Sequence, residues 1–272
     1  GCSINIDGSA SNNIIKNCKV IWGNHTVGSN SGAIVNQRSI TLFGSNNLVE
    51  KCEVAWGASS GIWVAGSHNK VEDCLVHDFN YLASYASPIH IRTGNNATII
   101  QNTIYNGGRD NIQVFGEYHE VAYNDSWASN LISDDCGIIY TCCGTNYGEI
   151  HHNYFHDIDS RGSHYKAAGI YLDNDAKEWS VHHNIVQNTE WTGIQINKDN
   201  WYMKLYNNTI WNASEAMGRW QPTGTSMNDV HTFNNLSDEG TYYGTTVENN
   251  KMAFSTPFLD INNQAMCDKF LE

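Results

Sequence analysis

Apolar and polar positions along this chain recur in one seven-residue segment. An alternating segment of the form x-I-x-x-[Cys/Asn]-x-[Val/Ile] runs through "IIKNCKV" at 14–20, "LVEKCEV" at 48–54 and "KVEDCLV" at 70–76. It returns as "TIIQNTI", "EVAYNDS", "EIHHNYF", "SVHHNIV", "LYNNTIW" and "HTFNNLS", ending at residue 237. The fifth position reads Cys18, Cys52, Cys74, Asn102, Asn124, Asn153, Asn184, Asn208 and Asn235, with nearest spacings of 22 and 24 residues. A further short strand precedes many of these segments: "GIWV" (61–64), "PIHI" (88–91), "NIQV" (111–114), "GIIY" (137–140), "GIYL" (169–172) and "GIQI" (193–196). Two short strands per repeat of this length predict an all-β solenoid, with parallel coils of about 22–30 residues. No single coil can bury its apolar face alone, so each stacks on the next. Equivalent residues then lie about 4.8 Å apart, close enough for Asn side chains to form amide ladders.

The stacking expectation bears on the two "HHN" triplets, at 151–153 and 182–184. Neighbouring residues of a regular strand face opposite ways. The pairs therefore read as His stacked between coils, and not as a zinc site. Cys18, Cys52 and Cys74 read as buried stack members, and Cys142 and Cys143 are not expected to bond to each other.

Alternation also assigns faces. Aligned on their first residue, glycine in four of the six, the "GIYL"-type strands send outward Trp63, His90, Gln113, Ile139, Tyr171 and Gln195. Two residues on, the outward set is Ala65, Arg92, Phe115, Thr141, Asp173 and Asn197. This register turns Tyr140 inward. Rows of aromatic rings and planar hydrogen-bonding groups on an exterior sheet suit a sugar chain. Insertions at 79–87, 126–136 and 156–169 enter before that strand and would wall one side of a groove. The last carries Arg161, His164, Tyr165 and Lys166, a cationic cluster in a chain of net charge −13.

Composition narrows the options. The 272 residues fit one domain, with regular coils over about 12–236 and a cap or irregular coils over about 237–272. The opening "GCSINIDGSA" reads as the interior of a repeat, so a signal peptide and a leading cap are expected upstream. The acidic balance opposes nucleic acid, and no apolar run is long enough to span a membrane. The expected protein is a secreted monomer without a required cofactor. Its carboxylate clusters would nevertheless suit calcium. Asp134 and Asp135, with Asp173, suit an inverting glycoside hydrolase pair, or they cap turns. A glycan-binding solenoid without catalysis would need the same aromatic groove and no base.

The blocks "DDCGIIYTCCGTNYGEIHHNYFHDI" and "AAGIYLDNDAKEWSVHHNIV" resemble the right-handed parallel β-helix polysaccharide-active enzymes, most closely the alginate lyases of polysaccharide lyase family 31. The resemblance implies β-elimination on a uronate-containing polysaccharide, alginate rich in mannuronate, with Lys177 as base and Tyr140 as acid. Tyr171 is the reserve acid. The substrate carboxylate would then be held among Arg92, His90, Gln113, Arg161, His164, Lys166 and Gln195, with Tyr171 and Asp173 beside the sugar.

Overall fold

A computed structural model describes residues 2–24, 37–82 and 84–252. All its regular elements are strands, every pairing is parallel, and each turn of chain lies in register on the turn before it. The coil has three strands per turn. The recurring seven-residue segment is itself two strands separated by a bend. In "TIIQNTI", for example, Thr98–Ile100 ends at Gln101 and Thr103–Gly107 begins after Asn102. Gln101, Tyr123, His152, His183, Asn207 and Asn234 occupy this bend in the left-handed region, with φ between 54° and 57°. A one-residue left-handed turn rotates the chain onto the next face without a long loop.

The first stack holds ten strands, from Ile14–Lys16 to Thr246–Glu248. The second stack holds such strands as Glu53–Gly57, Leu75–Phe79 and Tyr154–Ile158. The third holds Ser60–Val64, Ile89–Ile91, Ile112–Val114, Cys136–Thr141 and Ala167–Leu172. The long strands Ile185–Asn197 and Thr209–Trp220 run from the second stack into the third. Inward positions stack like on like: Val49, Val71, Ile99, Val121 and Ile150 on one side, and Ile62, Ile89, Ile112, Ile139, Ile170 and Ile194 on another, all fully buried. β-Branched side chains fit these pleated, mutually packed surfaces. Coils already pair at Cys2–Ile6 and continue to Lys251–Met252, beyond the expected 12–236. Residues 253–272, expected to belong to a cap or irregular coils, lie outside the described residues.

The fifth-position column forms the expected ladder. Asn102 Nδ2 donates to Asn124 Oδ1 at 3.0 Å, and the chain of amides continues through Asn153, Asn184, Asn208 and Asn235 to Asn250. Each Nδ2 also donates to a carbonyl one coil back, as Asn153 does to Val121 at 2.9 Å. Each Oδ1 also accepts from the backbone N–H of the preceding rung, as Asn153 does from Asn124 at 3.0 Å. Cys74 enters the column below Asn102, donating its N–H to Asn102 Oδ1 at 3.0 Å. Burial pushes its thiol up to about 12, so it stays protonated and unreactive.

The double histidines stack as the repeat implies. His151 lies on His182 with ring centroids 5.0 Å apart, and His152 lies on His183 at 4.9 Å. The faces differ from strict alternation because His152 and His183 are the bend residues.

Two predictions follow from this arrangement. Asn153→Ala removes four buried hydrogen bonds and strands their partners, so it should cost on the order of 3 kcal/mol, read from chemical denaturation. The second concerns His119, whose Nδ1 accepts from the Ala97 N–H at 3.0 Å and whose Nε2 donates to the Phe115 carbonyl at 3.0 Å. Burial lowers its pKa from 6.5 to about 4, so below about pH 6.5 the unfolded chain takes up a proton that the folded one refuses. Its contribution is present above pH 6.5 and should be lost as pH falls toward 4, on the order of 3 kcal/mol. Melting temperature against pH should show this limb, and His119→Asn should flatten it.

Candidate functional site

The outward face of the third stack carries one column of unlike residues. Thr41, Trp63, His90, Gln113, Tyr140, Tyr171 and Gln195 occupy successive coils at the same register position. This corrects the glycine-based alignment. Tyr140 pairs with Tyr171 and faces outward, while Ile139 pairs with Ile170 in the core. The same one-residue shift puts Cys142 in the outward set beside Asp173, and Thr141 with Leu172 in the inward one.

Around Tyr140 the side chains form a connected network. The Tyr140 phenol donates to Asp173 Oδ2 at 2.6 Å, and Asn197 Nδ2 donates to Asp173 Oδ1 at 2.6 Å. Asn197 also donates to the Tyr171 oxygen at 2.9 Å, and Tyr171 donates to Asp135 Oδ1 at 3.3 Å. Gln195 donates to Asn197 Oδ1 at 2.9 Å and so orients it. A cleft of about 480 Å³ opens over this network, bordered by Tyr171, Asp173, Trp191, Asn197 and Trp220. Burial, reinforced by the charge of Asp173, raises both tyrosine pKa values, so both phenols keep their protons at neutral pH. Asp173 is only 9 % exposed and is held by two donors.

One end of the column is cationic. Arg38 lies 3.6 Å over Trp63, Arg92 lies 4.8 Å over Phe115, and Arg109 packs between the rings of Tyr85 and Tyr140. His90 sits among them, 2 % exposed. Burial, then Arg92, Arg38 and Arg109, hold its pKa well below the ordinary value, and it is neutral. Neither His90 ring nitrogen has a hydrogen-bond partner, nor do Trp63 Nε1 and Gln113 Oε1. Buried polar atoms are normally paired. Three successive coils thus present unused donors and acceptors on one face.

Residues 38–210 match the family model described as right handed beta helix region. The chain belongs to that family. Its handedness and the stacked coils are those of the family. Among solved structures it is similar to the enzymatically active domain of tailspike protein 2 from bacteriophage CBA120, with a TM-score of 0.53 and 9 % identity. That similarity covers 78 % of this chain and 36 % of the tailspike chain, and at this identity it shows a shared fold alone. No curated protein matches the sequence.

The β-helix does not gather all the expected site residues. Lys177 stands in the corner row of Asn146, Lys177 and Trp201. Its ammonium is 2.6 Å from Asp175 and 4.5 Å over the Trp201 ring, so it takes no part in the Tyr140 network. The cationic cluster of the third insertion is divided. The His164 N–H donates to Asp134 at 2.6 Å, Lys166 lies 3.7 Å from Asp135, and Arg161 is exposed. Asp134 therefore closes its loop, whereas Asp135 reaches the cleft. Cys142 and Cys143, expected to stay apart, are joined by a disulfide, and Cys142 packs with Tyr140 and Tyr171. Among the described residues no three His, Cys, Asp or Glu side chains converge as a metal site.

Arg109, Asp110 and Trp191 were not singled out from the sequence, whereas Asn197 stood in the outward set. Arg109 contacts the fully buried Asp110, which also takes hydrogen bonds from Ser87 and from Cys136, the latter at 3.1 Å. Arg109→Met should destabilise the fold by about 3–5 kcal/mol, because Asp110 would stay buried without its cation. The double variant Arg109→Met with Asp110→Asn should recover much of that loss in the same denaturation experiment.

Proposed function

We propose that this protein cleaves an acidic, uronate-containing polysaccharide, alginate-like in chemistry, laid along the outward face of the third stack. The observation that carries this reading is the column running from unpartnered His90 and Gln113, flanked by Arg92 and Arg109, into the Tyr140–Asp173 pair. An acidic chain that concentrates guanidinium groups on one face has prepared that face for anions. Buried donors need no reorganisation when charge develops on a bound carboxylate.

The reaction that fits is β-elimination. A base removes the C5 proton, the C4–C5 double bond forms, and the C4–O bond breaks with its electrons. Tyr140 gives its proton to the departing oxygen, with Tyr171 as the reserve acid. Asp173 orients the phenol and keeps the proton on it until the leaving alkoxide, a stronger base than phenolate, draws it away. Lys177 is the base in this reading, and reaching the sugar requires that its ammonium leave Asp175 and lose a proton. Arg92, Arg109 and the amides of Gln113 and Gln195 hold the carboxylate.

Hydrolysis is the second reading. It is favoured by one observation: Asp135 and Asp173 both connect to Tyr171 across the cleft, within three hydrogen bonds of each other.

A polysaccharide panel, with and without chelator, separates these readings. Elimination gives unsaturated products that absorb in the ultraviolet, and Tyr140→Phe and Lys177→Ala should each lower turnover by about 100-fold or more while binding persists. New reducing ends without that absorbance, abolished by Asp173→Asn, would overturn elimination in favour of hydrolysis. Lys177→Ala with full lyase activity would remove Lys177 from the mechanism and leave a cleft carboxylate as the base.

A further inference from the structure

A second, chemically different pocket lies at the corner between the second and third stacks. Its volume is about 310 Å³, and Trp22, Trp56, Asp78, Tyr81, Asn106 and Ile132 border it. Trp22 and Trp56 stack with centroids 5.2 Å apart and planes inclined by 19°. Trp22 remains 55 % exposed and Tyr81 42 % exposed. The loop that contributes Tyr81 also carries Tyr85, which lies 5.0 Å from the Arg109 guanidinium beside Tyr140.

The backbone makes the tryptophans unusual at this corner. Trp22, Trp56, Asp78, Asn106, Asp157, Asn188 and Asn212 all occupy its left-handed position, with φ between 51° and 58°. Asp and Asn tolerate that conformation, and bulky residues adopt it at a cost. The later rungs carry Asx side chains except at Ala128, and these bond to one another, as Asn188 with Asp157 at 2.6 Å. The first two rungs carry indoles instead, and Trp22 gains little burial in return. A strained position that presents an exposed ring points to a ligand.

The polar rim says which ligand. Asp78 Oδ1 accepts from Asn106 Nδ2 at 2.8 Å, and its Oδ2 lies 2.6 Å from His77 Nδ1. A carboxylate fixed in this way keeps further lone pairs for hydroxyl donors and repels anions. The cleft face, with its arginines, has the opposite preference. The geometry points to a second saccharide-binding site at which the exposed part of the Trp22 ring, backed by Trp56, packs on the C–H face of a neutral pyranose and Asp78 accepts from its hydroxyls. The polysaccharide reading of the cleft supplies only the class of polymer. No cleft residue takes part.

The test is affinity electrophoresis of the intact chain through gels containing soluble β-glucan, xylan, mannan or alginate. At least one neutral polymer should retard the wild type. Trp22→Ala should weaken that retardation roughly tenfold, with Trp22→Phe retaining most of it. Arg92→Ala should leave neutral binding unchanged, and Trp22→Ala should leave cleavage of acidic polymer unchanged. The inference is overturned if no neutral polymer retards the wild type, or if Trp22→Ala runs as the wild type does. It is also overturned if Arg92→Ala abolishes neutral binding, because the cleft would then be the binding site. Cleavage of acidic polymer with either result would leave the cleft reading standing.

Discussion

The asparagine ladder is the constraint on which the rest of this structure depends. A solenoid of short parallel strands has few long-range devices to prevent one coil from slipping against the next. A slip of one residue would exchange every inward side chain for an outward one. Seven amides from Asn102 to Asn250, each bonded to its neighbours, make any such slip break several buried hydrogen bonds together. The left-handed residue before each rung has the same effect, because it fixes where the chain turns. Register is thus set at one corner and transmitted around each coil to the third stack.

That transmission explains why the outward column can be so costly in its composition. His90, Gln113, Tyr140, Tyr171 and Gln195 bury polar groups on a sheet surface, several without partners. An unpaired buried polar group costs about 1–3 kcal/mol, and a fold survives several only where other contacts over-determine its backbone. Here the aliphatic core on the inner side of the same strands does so: Ile89, Ile112, Ile139 and Ile170 are fully buried directly behind the column. The chemistry on the outer side is held by packing on the inner side.

Much of the fold was legible in the sequence because ladders and cores repeat. The fifth-position Asn with Cys52 and Cys74, the stacked histidines and the coil period follow from residues that recur at matched spacing, while Cys18, read as buried, is exposed. The site was less legible, because its residues differ from coil to coil. Aligning "GIIY" with "GIYL" on glycine turned Tyr140 inward, yet the register was present elsewhere. Tyr140 precedes His151 by the same interval that separates Tyr171 from His182, and the structure pairs both couples. The ladder block was the better ruler, since its hydrogen bonds leave no freedom, while glycine positions can shift along a strand. Arg109 and Asp110 carry no motif, and only the closed coil brings Arg109 to Tyr140.

The separation of charge within this acidic chain follows from the same geometry. Lys166 is matched by Asp135 and Lys177 by Asp175, so these cations are answered locally in a loop and a corner. Arg92 and Arg109 instead lie over aromatic rings on the strand face. A guanidinium over a ring keeps its hydrogen-bonding edge for other acceptors, whereas an ion-paired ammonium has already committed its charge. Arg109 does both, touching Asp110 while its plane covers Tyr140. A surface that carries excess negative charge overall can therefore still attract an anion at one row, provided the coil register keeps those arginines on the same side as the phenols.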